Sequence, residues 1–244
     1  MLALFKKEIN SFFSSLTGYI VILVFLLASG LVLWVFPGSE FNVLENGYAN
    51  LQGFFTLAPW FFLFLIPAVT MRMFAEEQKT GTIELLLSRP ITDLNIVFAK
   101  YGAAVVLVLC AIVPSLIYIG SIYLLATPTG NIDIAGITGS YIGLLFLCSA
   151  FVSIGVFSSV LTGNQVISFI LAVVFCFFFY SGFEFISTFL NSPKISNVFS
   201  FLGISRHYES LSRGVIDSRD VIYFLSLTLI FIFFSRFMLE KRKW

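Results

Sequence analysis

Charge is scarce in this 244-residue sequence. Fourteen Lys and Arg against thirteen Asp and Glu leave a net charge of +1, which excludes a basic surface able to hold nucleic acid. There is one histidine, His207, and with no cysteine near it a metal site cannot be assembled there. Cys110, Cys148 and Cys176 lie singly in apolar runs without CxxC spacing, so they read as small packing residues rather than a disulfide framework. Neither a GxxxxGK[ST] phosphate cradle nor a GxSxG nucleophile elbow occurs. Low-complexity segments and internal repeats are also missing.

What fills the chain instead is apolar. Hydrophobic residues make up 59% of it, 31 of them Phe, against roughly 45–50% in soluble domains. This composition belongs to an integral membrane protein. Runs such as VVFCFFFY and LTLIFIFF lack the alternation of a barrel strand, so the spans are helical. Six are expected: Gly18 to Phe36, Phe55 to Met73, Val97 to Ala126, Ile137 to Leu161, Gln165 to Leu190 and Val221 to Met238. Pro59, Pro67 and Pro114 predict kinks in the second and third. In the fourth, Gly143, Ser149, Ser153 and Gly155 suit close helix packing, within one chain or between two.

The opening MLALFKKEINSFFSS places Leu2, Phe5, Ile9, Phe12 and Phe13 on one helical face and Lys6, Lys7 and Asn10 largely opposite. Residues 1–15 therefore read as a helix lying in the membrane interface. A signal peptide competes, since Lys6 and Lys7 precede an apolar run and Ala28-Ser29-Gly30 mimics a cleavage site. The run continues through LVLWVF to Phe36, which favours an uncleaved first span.

Basic residues orient the spans. With the N-terminus inside, Lys6, Lys7, Arg72, Lys79, Arg89, Lys100, Arg236, Lys241, Arg242 and Lys243 face the cytoplasm, whereas Lys194, Arg206, Arg213 and Arg219 face outward. Ten against four places both termini in the cytoplasm. The one substantial cytoplasmic loop, residues 74–92, then carries FAEEQKTGTIELLLSRP, the densest charge in the chain. There Thr82 is suited to cap a two-turn helix with Glu84 in its first turn, and Pro90 closes it. Ile83, Leu86 and Leu87 form an apolar stripe at i, i+3 and i+4. So short a helix needs a surface to hold it, either the headgroups or a cytoplasmic partner. The acid-rich flank, with Glu76, Glu77 and Glu84, suits a partner better than anionic lipid.

The pattern EE-x-K-x-GT-x-E-LLLS-x-P between the second and third of six spans resembles the coupling region of ABC transporter permeases of the type-2 export class. SRPITDLNIVFAKY, HYESLSRGVIDSRDVIYFLSL and the basic KRKW end are similar to gliding-motility-associated permease subunits of the GldF type. The resemblance spans the chain as a single permease domain, 1–244. It implies an all-α membrane protein of six transmembrane helices in the bacterial cytoplasmic (inner) membrane. It further implies a second permease copy, a separate ABC ATP-binding subunit that holds ATP and Mg, and an auxiliary membrane protein of the GldG type. Its coupling residues would be Glu76, Glu77, Gly81, Thr82, Ile83, Glu84, Leu86, Leu87, Arg89 and Pro90. No cofactor is expected in this chain, which lacks its own P-loop.

Outside, residues 191–220 carry Arg206, Glu209, Arg213, Asp217, Arg219 and Asp220, whose alternating signs predict a local salt-bridge network. Arg206, His207, Tyr208, Arg213 and Asp217 are candidates for contact with an extracytoplasmic partner, against the plainer reading of a cap folded onto the membrane. Glu184 falls near the outer interface, where it is hydrated. Two further functions stay open: a transporter driven by an ion gradient, and a membrane scaffold that moves no substrate. The first calls for an ionisable residue at mid-membrane, and none is evident.

Overall fold

The computed structural model describes residues 1–87, 91–190 and 192–241, the side chains of Thr17, Leu85 and Leu87 excepted. Arg89 and Pro90 lie outside them. Among the described residues there is no strand, and the elements are α1 (Leu2–Phe13), α2 (Leu16–Trp34), α3 (Gln52–Thr70), α4 (Ala75–Lys79), α5 (Thr82–Leu87), α6 (Asp93–Ile112), α7 (Ile117–Leu125), α8 (Ile134–Leu161), α9 (Gln165–Phe177), α10 (Phe183–Phe189), α11 (Pro193–Leu202), α12 (Ile204–Ser212) and α13 (Ser218–Lys241). Short polar side chains start several of them. Thr92 accepts from Asn95 N, Asp133 from Gly136 N and Asn164 from Val166 N, each meeting an amide that has no partner inside its helix.

Five helical stretches, built on α3, α6–α7, α8, α9–α10 and α13, are long and apolar enough to cross a membrane. A sixth candidate is the pair α1 and α2, which meet at 67°. Most spans differ from the sequence expectation by only a few residues at their ends. The prolines act unequally. Pro114 sits in a 3₁₀ turn, Val113–Leu116, where Ser115 Oγ donates to Ile112 O, while α3 continues through Pro59 and Pro67 without a break.

Helix α8 is the axis of the fold, with α3, α6, α9, α12 and α13 packed around it. Its small residues permit these approaches. A Cβ on Gly155 would collide with Thr70 of α3, and one on Gly143 with Leu211 of α12. Ser149 is within hydrogen-bond reach of Tyr101 in α6 and Thr228 in α13. These small side chains thus serve packing inside one chain.

The connecting segments gather at two ends. At one end, Ser140 Oγ donates to Ser212 O, Tyr208 OH donates to Phe55 O, and the loops around residues 43–50 and 122–131 line a common cavity. At the other, α1, α4, α5 and the 162–164 link lie together. The second end holds the segments the sequence assigned to the cytoplasm.

Candidate functional site

The charged stretch folds back onto the helices that flank it. The hydroxyl of Ser159, near the end of α8, accepts from the amides of Phe74 (3.0 Å) and Ala75 (3.1 Å). It donates in turn to Met71 O. Gln78 Nε2 donates to Val160 O at 2.8 Å. The turn into α4 is therefore tied to the central helix by groups that would otherwise be buried without partners.

The opposite side of α4 is tied by charge. Lys100 of α6 is fully buried, and its Nζ donates to Glu8 Oε1 of α1 at 2.8 Å and to Met73 O. Glu77 Oε2 meets the same ammonium at 3.0 Å as an ion-pair contact, while Glu77 Oε1 accepts from Lys7 Nζ at 2.8 Å. The Phe74 ring lies under the Lys100 ammonium, 4.9 Å from centroid to Nζ. Two cations and two carboxylates thus form a neutral set joining α1, α4 and α6. Burial alone would push the Glu77 carboxyl up, but the Lys100 charge and the Lys7 hydrogen bond outweigh it and hold the group below the usual carboxylate range. Burial likewise opposes the charge on Lys7, and the contact with Glu77 raises its ammonium above the ordinary lysine value. Lys7 lies on α1, and Glu77 on α4 at the charged end of the stretch Gln52–Lys79.

With one side anchored, α4 and α5 present the other. Glu76, Lys79, Thr80, Gly81, Thr82 and Glu84 are exposed. Gly81 turns the chain between the helices at φ +71°, with open space where a Cβ would stand. Thr82 is the first residue of α5, and its hydroxyl lies 2.9 Å from that of Thr80. The apolar stripe points inward: Ile83 is buried in the protein's own core and Leu86 is half-buried against it. These two residues hold α5 to its own chain, leaving the acidic and small residues as the free surface.

Residues 2–244 match the family model described as ABC-2 family transporter protein. The chain belongs to the ABC-2 transporter family. It is a multi-pass membrane permease component of an ABC transporter, and that membership implies association with an ABC ATP-binding subunit. No curated protein matches the chain.

At the far end of this ABC-2 permease, the expected salt-bridge network is replaced by a smaller and more buried set. Among the described residues of this end, Arg213 and Glu209 alone pair as exposed charges, at 2.9 Å. Asp217 instead accepts from Arg219 N at the start of α13, and Arg206 stacks on the Phe201 ring at 4.2 Å. Asp220 turns inward. It meets His207 Nδ1 at 2.7 Å and accepts from Ser210 Oγ, while His207 Nε2 lies 2.9 Å from Phe201 O. Both ring nitrogens thus have an oxygen within hydrogen-bond reach. Tyr223 stacks on the same ring at 3.9 Å and donates to Leu202 O. His207 and Tyr208 are thus buried pins that fasten α12 to α13 and α3, whereas Arg206, Arg213 and Asp217 lie toward solvent. Glu184 is exposed and accepts from Ser205.

Sequence reasoning missed Lys100 and Lys7 as partners of Glu77, and Glu8 as the second carboxylate on Lys100. A lysine inside an apolar run was the available signal, since a buried ammonium requires carboxylates. On α1, the burial of Leu4 and the exposure of Leu2 shift the packed face so that it includes Glu8.

Proposed function

We propose that this permease is the membrane part of an ATP-driven exporter, and that the exposed edge of α4 and α5 is where the ATP-binding subunit docks. The observation that carries this reading is the two-sidedness of the segment. Lys79, Gly81, Thr82 and Glu84 are exposed on one side, while Glu77, Gln78 and the turn before α4 are bonded to α1, α6 and α8 on the other. A push on the free side moves three helices rather than a loose loop. In this reading α1 lies along the cytoplasmic interface, both termini are cytoplasmic, and two permease copies pair with two ATP-binding subunits in a bacterial inner membrane.

The resemblance of HYESLSRGVIDSRDVIYFLSL supports a finer assignment to gliding-motility-associated permeases of the GldF type, with a GldG-type protein as partner. A scaffold would use the same docking edge without moving a substrate.

The test is reconstitution. The purified chain should turn over no ATP alone, because it lacks a P-loop, and should form a complex of two permeases with two ATP-binding subunits that does. ATP turnover by the isolated chain, or an ATP-binding subunit that never associates with it, overturns the reading. Turnover without movement of any cargo would favour the scaffold.

A further inference from the structure

At the end that carries α1 and α4, a cavity of about 560 Å³ opens between α1, the start of α2 and the turn into α4. A second, almost wholly apolar cavity of about 420 Å³ runs between α2 and α3 with Phe169 at its wall. Both lie within the roughly 300–1,000 Å³ range of small-molecule sites. They share Ile20, Val21 and Ala68 as lining residues and so adjoin, a charged mouth beside an apolar shaft.

The mouth has a specific charge pattern. Lys7, Glu8 and Glu77 line it but are committed to the set around Lys100. Arg72 also lines it, and among the described residues its guanidinium makes no hydrogen bond or ion pair. Glu76 is exposed there and, among the described residues, forms no ion pair. One free guanidinium and one free carboxylate therefore remain. A guanidinium binds a phosphate by paired N–H donors, and a carboxylate accepts from an ammonium. The shaft, walled by Val24, Phe25, Phe61 and Leu65, offers almost nothing polar.

We infer that mouth and shaft together hold one phospholipid with a zwitterionic, primary-amine headgroup, of the phosphatidylethanolamine class. Its phosphate sits on Arg72, its ammonium faces Glu76, and an acyl chain passes Ala68 into the shaft. With the Lys100 set neutral, Arg72 and Glu76 leave the mouth without net charge, which suits a zwitterionic lipid better than an anionic one. A quaternary amine has no N–H to donate to Glu76. The lipid would fill the space between α1 and α4, beside the Lys100 set.

The experiment uses the full chain in detergent, with bound lipid counted by native mass spectrometry. The probes are phosphatidylethanolamine, phosphatidylcholine and phosphatidylglycerol of matched acyl chains, together with glycerophosphoethanolamine and inorganic phosphate, which have no tails. One phosphatidylethanolamine should be retained per copy, with the other two lipids about tenfold weaker and the tail-less probes not retained. Ala68→Phe, where mouth and shaft adjoin, should abolish retention. Arg72→Gln should weaken it about tenfold, and the exposed change Glu76→Gln should remove the preference over phosphatidylcholine. Helicity and elution volume report whether each variant folds, and Glu76→Gln removes no packed side chain. Equal retention of the three lipids, retention of the tail-less probes, or full retention by Ala68→Phe overturns the inference. So does a disulfide between two copies at Val24→Cys whose product carries no lipid, because a second copy would then fill the shaft.

Discussion

The ammonium of Lys100 in α6 stands 3.0 Å from Glu77 Oε2 in α4, sealed from solvent, with Glu8 of α1 completing its shell. Removing Lys100 leaves Glu8 and Glu77, both largely buried, to share the exposed Lys7, a cost of about 3–5 kcal/mol. Lys100→Met should therefore lower unfolding stability in micelles by about that amount. Replacing Glu8 and Glu77 by Gln in the same chain should recover most of it. No loss in Lys100→Met would mean that the pairing contributes nothing to the fold.

The same set fixes a pH window. The Glu77 carboxyl is held below its ordinary 4.5, so its contribution is present above that pH and fades as pH falls through the lower folded value. Lys7 is raised above 10.5, so its contribution holds below that pH and fades as pH rises through the higher folded value. The stability difference between wild type and Glu77→Gln, measured across pH, should be flat between those limits and shrink on the acid side. A difference that grows on acidification contradicts the arrangement.

Gly81 isolates a backbone effect. Its φ of +71° lies in the left-handed region, and no atom stands within 4 Å of the position a Cβ would take. Gly81→Ala should cost about 1–2 kcal/mol, and Gly81→Asn less, because Asn visits that region more readily. Thermal unfolding of the two variants decides it, and equal loss in both would point to something other than conformation.

Much of the architecture could be read from the sequence, because a span announces itself by length and hydropathy alone. Helix α8 was placed to within three residues at its start, and Gln165 opens α9 as expected. The site was less legible. The acidic stretch was visible, but the Lys100 set depends on which residues meet across α1, α4 and α6, and no periodicity records that. The stripe of Ile83 and Leu86 was visible as a pattern, yet a pattern does not say whether it faces a partner or its own core. At the far end, sign alternation hid the fact that Asp220 pairs with the single histidine.

That histidine supports a fourth prediction. His207→Leu leaves Asp220 buried beside Ser210 alone, at a local cost on the order of 3 kcal/mol. The expected result is faster limited proteolysis within residues 193–217, with the Lys100 end unaffected. Asp220→Asn should open the segment less, since its amide still accepts from Ser210. Unchanged cleavage in His207→Leu would show that the pair does not hold α12 in place.

The docking edge is the centre of the account, and site-specific photocrosslinking in native membranes tests it most directly. A photoreactive residue at Glu84 or Thr82, both exposed, should capture a protein carrying a P-loop, whereas one at exposed Glu209 at the opposite end should not. Capture of that ATP-binding protein from position 209, or from neither end while the complex is intact, would contradict it.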